Sequence, residues 1–175
     1  MTDNERAERF RLLHTRHYPD LLRFVERRVP SHEAEDVIST VFMTAWRRYD
    51  DLPEDARPWL FAVARRTMAN QTRGWLRRRA LDVRLLGESD PATVADPSSA
   101  AATRVDLERA WRAQRPADRE TLALVIFDGL SVEEAAVVAG CRPSTFAMRL
   151  SRARKRLSDA MTESPLPQLI LREQS

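Results

Sequence analysis

One cysteine, one lysine and four glycines are spread over 175 residues, and each scarcity excludes something. A lone Cys141 cannot close an internal disulfide, and with three scattered histidines it makes no zinc site of recognisable spacing. No run approaches the ~18 consecutive apolar residues that a membrane-spanning helix requires. The opening residues "MTDNERAERFRLLHTRHYPD" are charged throughout, so neither a signal peptide nor an anchor is expected, and the expected location is the cytoplasm, away from any membrane. The few glycines and the ten prolines occur in clusters, and no alternating β-branched run competes with the 3.6-residue spacing between them. The expected fold class is all-α.

What is present suits a helical protein with a polyanionic partner. Apolar residues make up 43% and charged residues 31% of a chain long enough for one ordinary domain or two small ones. Of the 29 basic residues only Lys155 is not arginine, so the positive groups are planar forks suited to phosphate and base edges. Codon usage in a GC-rich genome would produce the same ratio, so the ratio by itself assigns no function.

Over 5–28 the set Phe10, Leu13, Leu21, Phe24 and Val25 falls largely on one side of a helix, which Pro30 closes. A second helix is expected from Ser31, with Glu33, Glu35 and Asp36 near the positive end of its dipole and Val37, Val41, Phe42, Ala45 and Trp46 as its apolar face. The stretch "YDDLPEDARP" (49–58) carries prolines and acids and reads as an exposed loop. A third helix follows over 57–80, with Trp59, Leu60, Val63 and Met68 inward and Arg65, Arg66, Arg73, Arg77, Arg78 and Arg79 in solvent. The segment "GESDPATVADPSSAAATR" is small, polar and without apolar period, and reads as a flexible linker. Helices are expected again at 105–114 and 116–127. The chain is therefore divided into two small helical domains, 1–86 and 104–161, joined by a linker at 87–103 and followed by a tail at 162–175.

The most informative stretch is "LSVEEAAVVAGCRPSTFAMRLSRARKRL". Ser131 and Glu134 have the spacing of a capping box, which starts a helix. Val132, Ala135, Ala136 and Ala139 give that helix a narrow stripe of small residues, Gly140 suits the left-handed residue that ends it, and Pro143 suits the first turn of the next. On this second helix Phe146, Leu150, Ala153, Leu157 and Met161 lie along one side, and Thr145, Arg149, Arg152 and Arg156 along another about 90° away. One side packs and the other is a basic stripe, the pattern of a helix-turn-helix whose second helix enters the major groove.

With these residues in view, "DGLSVEEAAVVAGCRPSTFAMRLSRARKRL" resembles region 4 of bacterial sigma factors of the extracytoplasmic-function (ECF) group, and "AEDVISTVFMTAWRRYDDLPEDARPWLFAVARRTMANQTR" resembles their region 2. The resemblance implies two helical domains that bind core RNA polymerase and direct it to promoters. Asp36, Ser39 and Thr40 match positions where region 2 meets the clamp helices of the largest polymerase subunit. The 49–57 loop, with Asp51, Leu52 and Arg57, matches the part that captures a base flipped from the −10 element, and Arg66, Asn70 and Arg73 would lie along the displaced strand, where a base pocket and phosphate partners offset lost stacking. Ser144, Thr145, Met148, Arg149, Arg152 and Arg156 match the recognition helix on the −35 element, where Arg149 would fork onto guanine and Arg152 would hold phosphate. Trp46 and Trp59 are assigned to the core. The family also implies an anti-sigma factor as a further partner, and neither a cofactor nor a metal.

Two rival readings differ in kind. A helix-turn-helix regulator that acts without polymerase would carry a ligand or dimerisation domain where region 2 is read. A metal-dependent hydrolase would need to use His14, His17 and His32 with Glu33, Glu35 and Asp36, but no third ligand stands in a defined relation to the His14–His17 pair.

Overall fold

The computed structural model describes residues 3–71 and 100–162, and among them every regular element is helical. The helices are α1 (Asp3–Glu26), α2 (Ser31–Arg47), α3 (Ala56–Gln71), α4 (Ala100–Ala113), α5 (Pro116–Ile126), α6 (Val132–Ala139) and α7 (Pro143–Thr162), with a 3-10 turn at Tyr49–Asp51. The expected run of the third helix to residue 80, most of the linker and the tail beyond residue 162 lie outside the described residues, as does Arg73.

In the first half, α1, α2 and α3 pack on one another. Leu21, Phe24 and Val25 of α1 and Val37, Val41 and Ala45 of α2 are fully buried, as their spacing predicts. The helix α1 runs through Pro19, whose ring removes one backbone donor from its interior. Expectation and structure part at Trp46, which is 40% exposed and not in the core. Its ring lies edge-on to Phe10, and the Arg6 guanidinium sits 4.9 Å from its centre. Ile38 and Ala34 fill the buried positions instead, while Trp59 packs against the core only in part.

In the second half, α7 packs on α4, α5 and α6. Helix α4 begins at Ala100, inside the stretch read as linker, because three successive alanines extend the helix at little entropic cost. Pro116 stands in the first turn of α5, where its missing N–H costs nothing. The capping box is present in both directions: the Glu134 amide donates to Ser131 Oγ at 3.1 Å and the Ser131 amide donates to Glu134 Oε2 at 2.7 Å. Gly140 takes φ 67° and ends α6, a left-handed conformation that a residue with a Cβ adopts only under strain.

The halves are not separate bodies. Helix α3 packs on α1 and α2 and also on α6, so one cluster of buried side chains runs from Leu21 and Phe24 through Leu60, Phe61 and Ala64 to Ala135, Phe146 and Leu150.

Candidate nucleic-acid and polymerase interfaces

Helix α7 has two working sides. Phe146, Leu150 and Ala153 are buried at 3% exposure or less, which fixes the helix on α4, α5 and α6. Ser144, Met148, Arg149 and Arg152 stand in solvent on its other side, and Thr145 is half-buried between them. This side begins at the helix N-terminus, so its first residues meet a base edge when the helix end enters a groove. Arg156, expected on the same stripe, is used within the fold: its Nε and Nη2 donate to the two carboxylate oxygens of Asp118 at 3.0 and 3.3 Å. That fork ties α7 to the first turn of α5, and the Gln114 side-chain amide adds a bond to the Arg156 carbonyl.

Helix α2 offers a polar surface. Asp36, Ser39 and Thr40 are all exposed, and the Thr40 hydroxyl donates back to the Asp36 carbonyl at 2.9 Å. Beside them α1 and α2 enclose an open groove of about 580 Å³ lined by Phe10, His14, Ile38, Phe42, Met43 and Trp46. His14 stacks on Tyr18, whose phenol donates to Glu35 at 2.9 Å; this bond raises the tyrosine's pKa above its ordinary value.

The loop before α3 places Asp51 in solvent and Leu52 half-buried. Leu52 lines a pocket of about 350 Å³ with Leu12, Leu13, His17, Tyr49 and Pro53. His17 is buried beneath the loop; desolvation, then the neighbouring Arg16 charge, hold its imidazole below the ordinary value. On α3, Arg66 and Asn70 are both exposed, and Arg66 Nε donates to the Ala62 carbonyl in the preceding turn. No group of three or more metal-ligating side chains occurs among the described residues, and His14 and His17 have the separate environments just given.

Arg57 is engaged elsewhere than on a free loop. Its Nη2 donates to the Asp128 carbonyl at 2.7 Å, its Nη1 donates to Glu134 Oε1 at 3.3 Å, and its Nε lies 3.6 Å from Asp20. It belongs to a set of charges between the halves that the sequence reading missed. Arg27 reaches Asp128 Oδ1 at 2.5 Å, Arg28 reaches Asp128 Oδ2 at 2.7 Å, and Arg28 Nε reaches Glu120 at 3.1 Å. These partners lie about a hundred positions apart in the chain, and no local pattern joins them. The only local signal is Asp128-Gly129, which reads as an ordinary turn.

The arrangement defines a class: a helix-turn-helix protein whose second helix has an exposed basic edge, packed on a second helical unit that carries its own polar surface. Comparison with known proteins makes the class specific. Residues 13–82 match the family model for sigma-70 region 2, and residues 115–157 match that for sigma-70 region 4. The ECF RNA polymerase sigma factor EcfG of Rhodopseudomonas palustris is 33% identical over 129 residues, covering 71% of this chain and 69% of that protein. The RNA polymerase sigma factor CnrH of Cupriavidus metallidurans is 30% identical over 145 residues, with 74% of each covered. Among solved structures, the sigma factor RpoE of Bartonella quintana, in complex with the anti-sigma factor NepR, superposes with a TM-score of 0.61 at 25% identity, covering 90% of this chain and 99% of that one. The chain belongs to the ECF group of RNA polymerase sigma factors, and its function is promoter-directed initiation of transcription with core RNA polymerase.

Proposed function

We propose that this sigma factor works in the cytoplasm as a non-enzymatic subunit, without cofactor or metal, and that it reads two promoter elements with two different helices. In this reading Asp36, Ser39 and Thr40 on α2 meet the polymerase clamp. Asp51, Leu52 and Arg57 receive a flipped base of the −10 element, while Arg66, Asn70 and Arg73 follow the opened strand. Ser144, Thr145, Met148, Arg149 and Arg152 read and grip the −35 element, and Arg156 positions their helix. Segments 1–86 and 104–161 are the working units, 87–103 joins them, and 162–175 is a tail without an assigned contact.

The observation that carries the reading is the edge of α7, where Ser144, Met148, Arg149 and Arg152 are exposed while Phe146, Leu150 and Ala153 on the other side are buried. A basic helix whose apolar side is already packed has its fork-shaped donors free for DNA. The solved relative from Bartonella quintana is held by the anti-sigma factor NepR, and a regulator of that kind is part of the proposal for this chain. Run-off transcription with purified core polymerase tests it: new start sites that share upstream elements are expected when the protein is added. Unchanged start sites, together with no retention on core polymerase, would return the polymerase-independent regulator to first place.

A further inference from the structure

The loop between α2 and α3 is tied down at both ends. Arg57 fixes its end through Asp20, Glu134 and the Asp128 carbonyl. Its start is the turn Tyr49–Asp51, reached from α2 through Arg48, and the side chain that holds this start comes from another helix: Arg6, near the beginning of α1. Arg6 Nη2 donates at 2.9 Å to the Trp46 carbonyl, in the last turn of α2, where the amides of a following turn are missing. Arg6 Nη1 lies 3.6 Å from the Asp50 carboxylate. The guanidinium carbon is 4.9 Å from the centre of the Trp46 ring and 5.7 Å from that of Tyr49, within cation–π range of both. Phe10, one turn further along α1, meets the same two rings edge-on at 5.0 and 6.1 Å. Arg6 Nε is buried without a hydrogen-bond partner. A side chain merely lying on the surface would turn that donor to water, so the other contacts are what keep it in place.

What Arg6 holds bears on the base site. Tyr49 lines the pocket of about 350 Å³ under the loop together with Leu52, Pro53 and His17. The Leu52 amide donates to the Tyr49 carbonyl at 3.3 Å, and the Asp51 amide to the Arg48 carbonyl at 3.0 Å, so a shift of this turn carries Asp51 and Leu52 with it. A loop that catches a single base gains from being shaped beforehand, because ordering it at the moment of capture costs conformational entropy.

We propose that Arg6 is a positioning residue for promoter opening: without touching DNA, it fixes the turn Tyr49–Asp51 so that the pocket beside Leu52 is already formed when a −10 base leaves the stack. This role rests on reading the 49–57 loop as the receiver of that base, and it adds a residue of α1 that lies outside the loop. The position calls for arginine, since a planar fork can bond a carbonyl, face a carboxylate and stand against two rings at once, whereas lysine offers one point charge.

The test uses reconstituted holoenzyme and a promoter with 2-aminopurine in the −10 element, whose fluorescence rises when it leaves the stack. Stopped-flow traces at increasing holoenzyme concentration separate the affinity of first binding from the rate of opening. Arg6→Ala should leave that affinity unchanged and slow opening roughly tenfold, a moderate loss where a misplacement of about 1 Å by a remote change can cost about a hundredfold. Arg6→Lys should fall between the parent and Arg6→Ala. A parent opening rate in Arg6→Ala, or losses shared equally between affinity and rate, overturns the positioning role. If Arg6→Ala lowers helicity in circular dichroism, Asp50→Asn decides instead: that carboxylate is 68% exposed, and its loss should slow opening by a smaller factor, a parent rate overturning the role. Asp51→Ala and Leu52→Ala separate the two claims. Parent rates in both overturn the loop reading and the Arg6 role with it, whereas slowing in both beside a parent rate in Arg6→Ala overturns the Arg6 role alone.

Discussion

Replacing Arg149 with alanine separates reading DNA from holding the fold. The side chain is exposed in the early part of α7, and among the described residues its guanidinium has no hydrogen bond or ion pair within the chain. Surface changes of that kind move stability by no more than about 0.5 kcal/mol. A fork onto guanine is worth about 1–3 kcal/mol of discrimination, equivalent to roughly 5- to 150-fold in affinity. Arg156→Ala is the contrasting change. It breaks a two-bond fork and leaves Asp118, 8% exposed, without its partner. Because Arg156 is itself 39% exposed, the expected cost is near 1 kcal/mol, a fall in melting temperature of about 2–4 °C for a chain of 175 residues whose halves share one core. The assay is fluorescence anisotropy of reconstituted holoenzyme on a promoter and on a scrambled duplex, paired with thermal melts. Arg149→Ala should lose promoter affinity, keep its affinity for the scrambled duplex and keep its melting temperature. Equal losses on both duplexes, or a lowered melting temperature, would refute the assignment of Arg149 as a base reader.

Other outcomes follow from the same geometry. Ser131→Ala removes one half of the capping box and should cost about 1 kcal/mol in a denaturant titration; an unchanged midpoint would mean that α6 is held by packing alone. Promoter binding by the holoenzyme should fall steeply and log-linearly with salt as counterions are released, and a flat response would contradict phosphate contacts by the arginines. Folding holds His17 in its neutral form, with a pKa below the ordinary 6.5, so the unfolded chain takes up a proton first as pH drops. Stability should therefore decline as pH falls from 6.5 toward the lowered value. Melting curves of the parent and of His17→Gln between pH 8 and 5.5 test this, because the substitution should remove that part of the slope.

The elements that local rules govern were legible in the sequence. Ser131, Glu134, Gly140 and Pro143 specify the start, end and restart of α6 and α7 by chemistry contained within a few residues, and their capping and turn geometry was expected in detail. Phe146, Leu150 and Ala153 were found by spacing alone. Helix α3 was harder, because Phe61 and Ala64 are buried on a helix that packs against both halves, and a search for one apolar stripe sees only part of such a surface. Trp46 was misassigned because an aromatic at a core spacing can instead lie at the rim, where its ring takes an arginine from another helix. The Arg27, Arg28 and Asp128 cluster could not be read at all, since its members are joined only by the tertiary packing. The exposure of Ser144, Met148, Arg149 and Arg152 on α7 follows their spacing, whereas the pairing of Arg156 with Asp118 could not be read, since Asp118 lies on another helix.

The most direct test of the account is permanganate probing of a promoter fragment, which oxidises thymines only where the duplex is open. With core polymerase and this protein together, thymines around the −10 element should become reactive, and with either component alone they should not. A complex of protein, core polymerase and promoter that forms stably yet leaves every thymine unreactive would contradict the claim that this chain directs promoter opening.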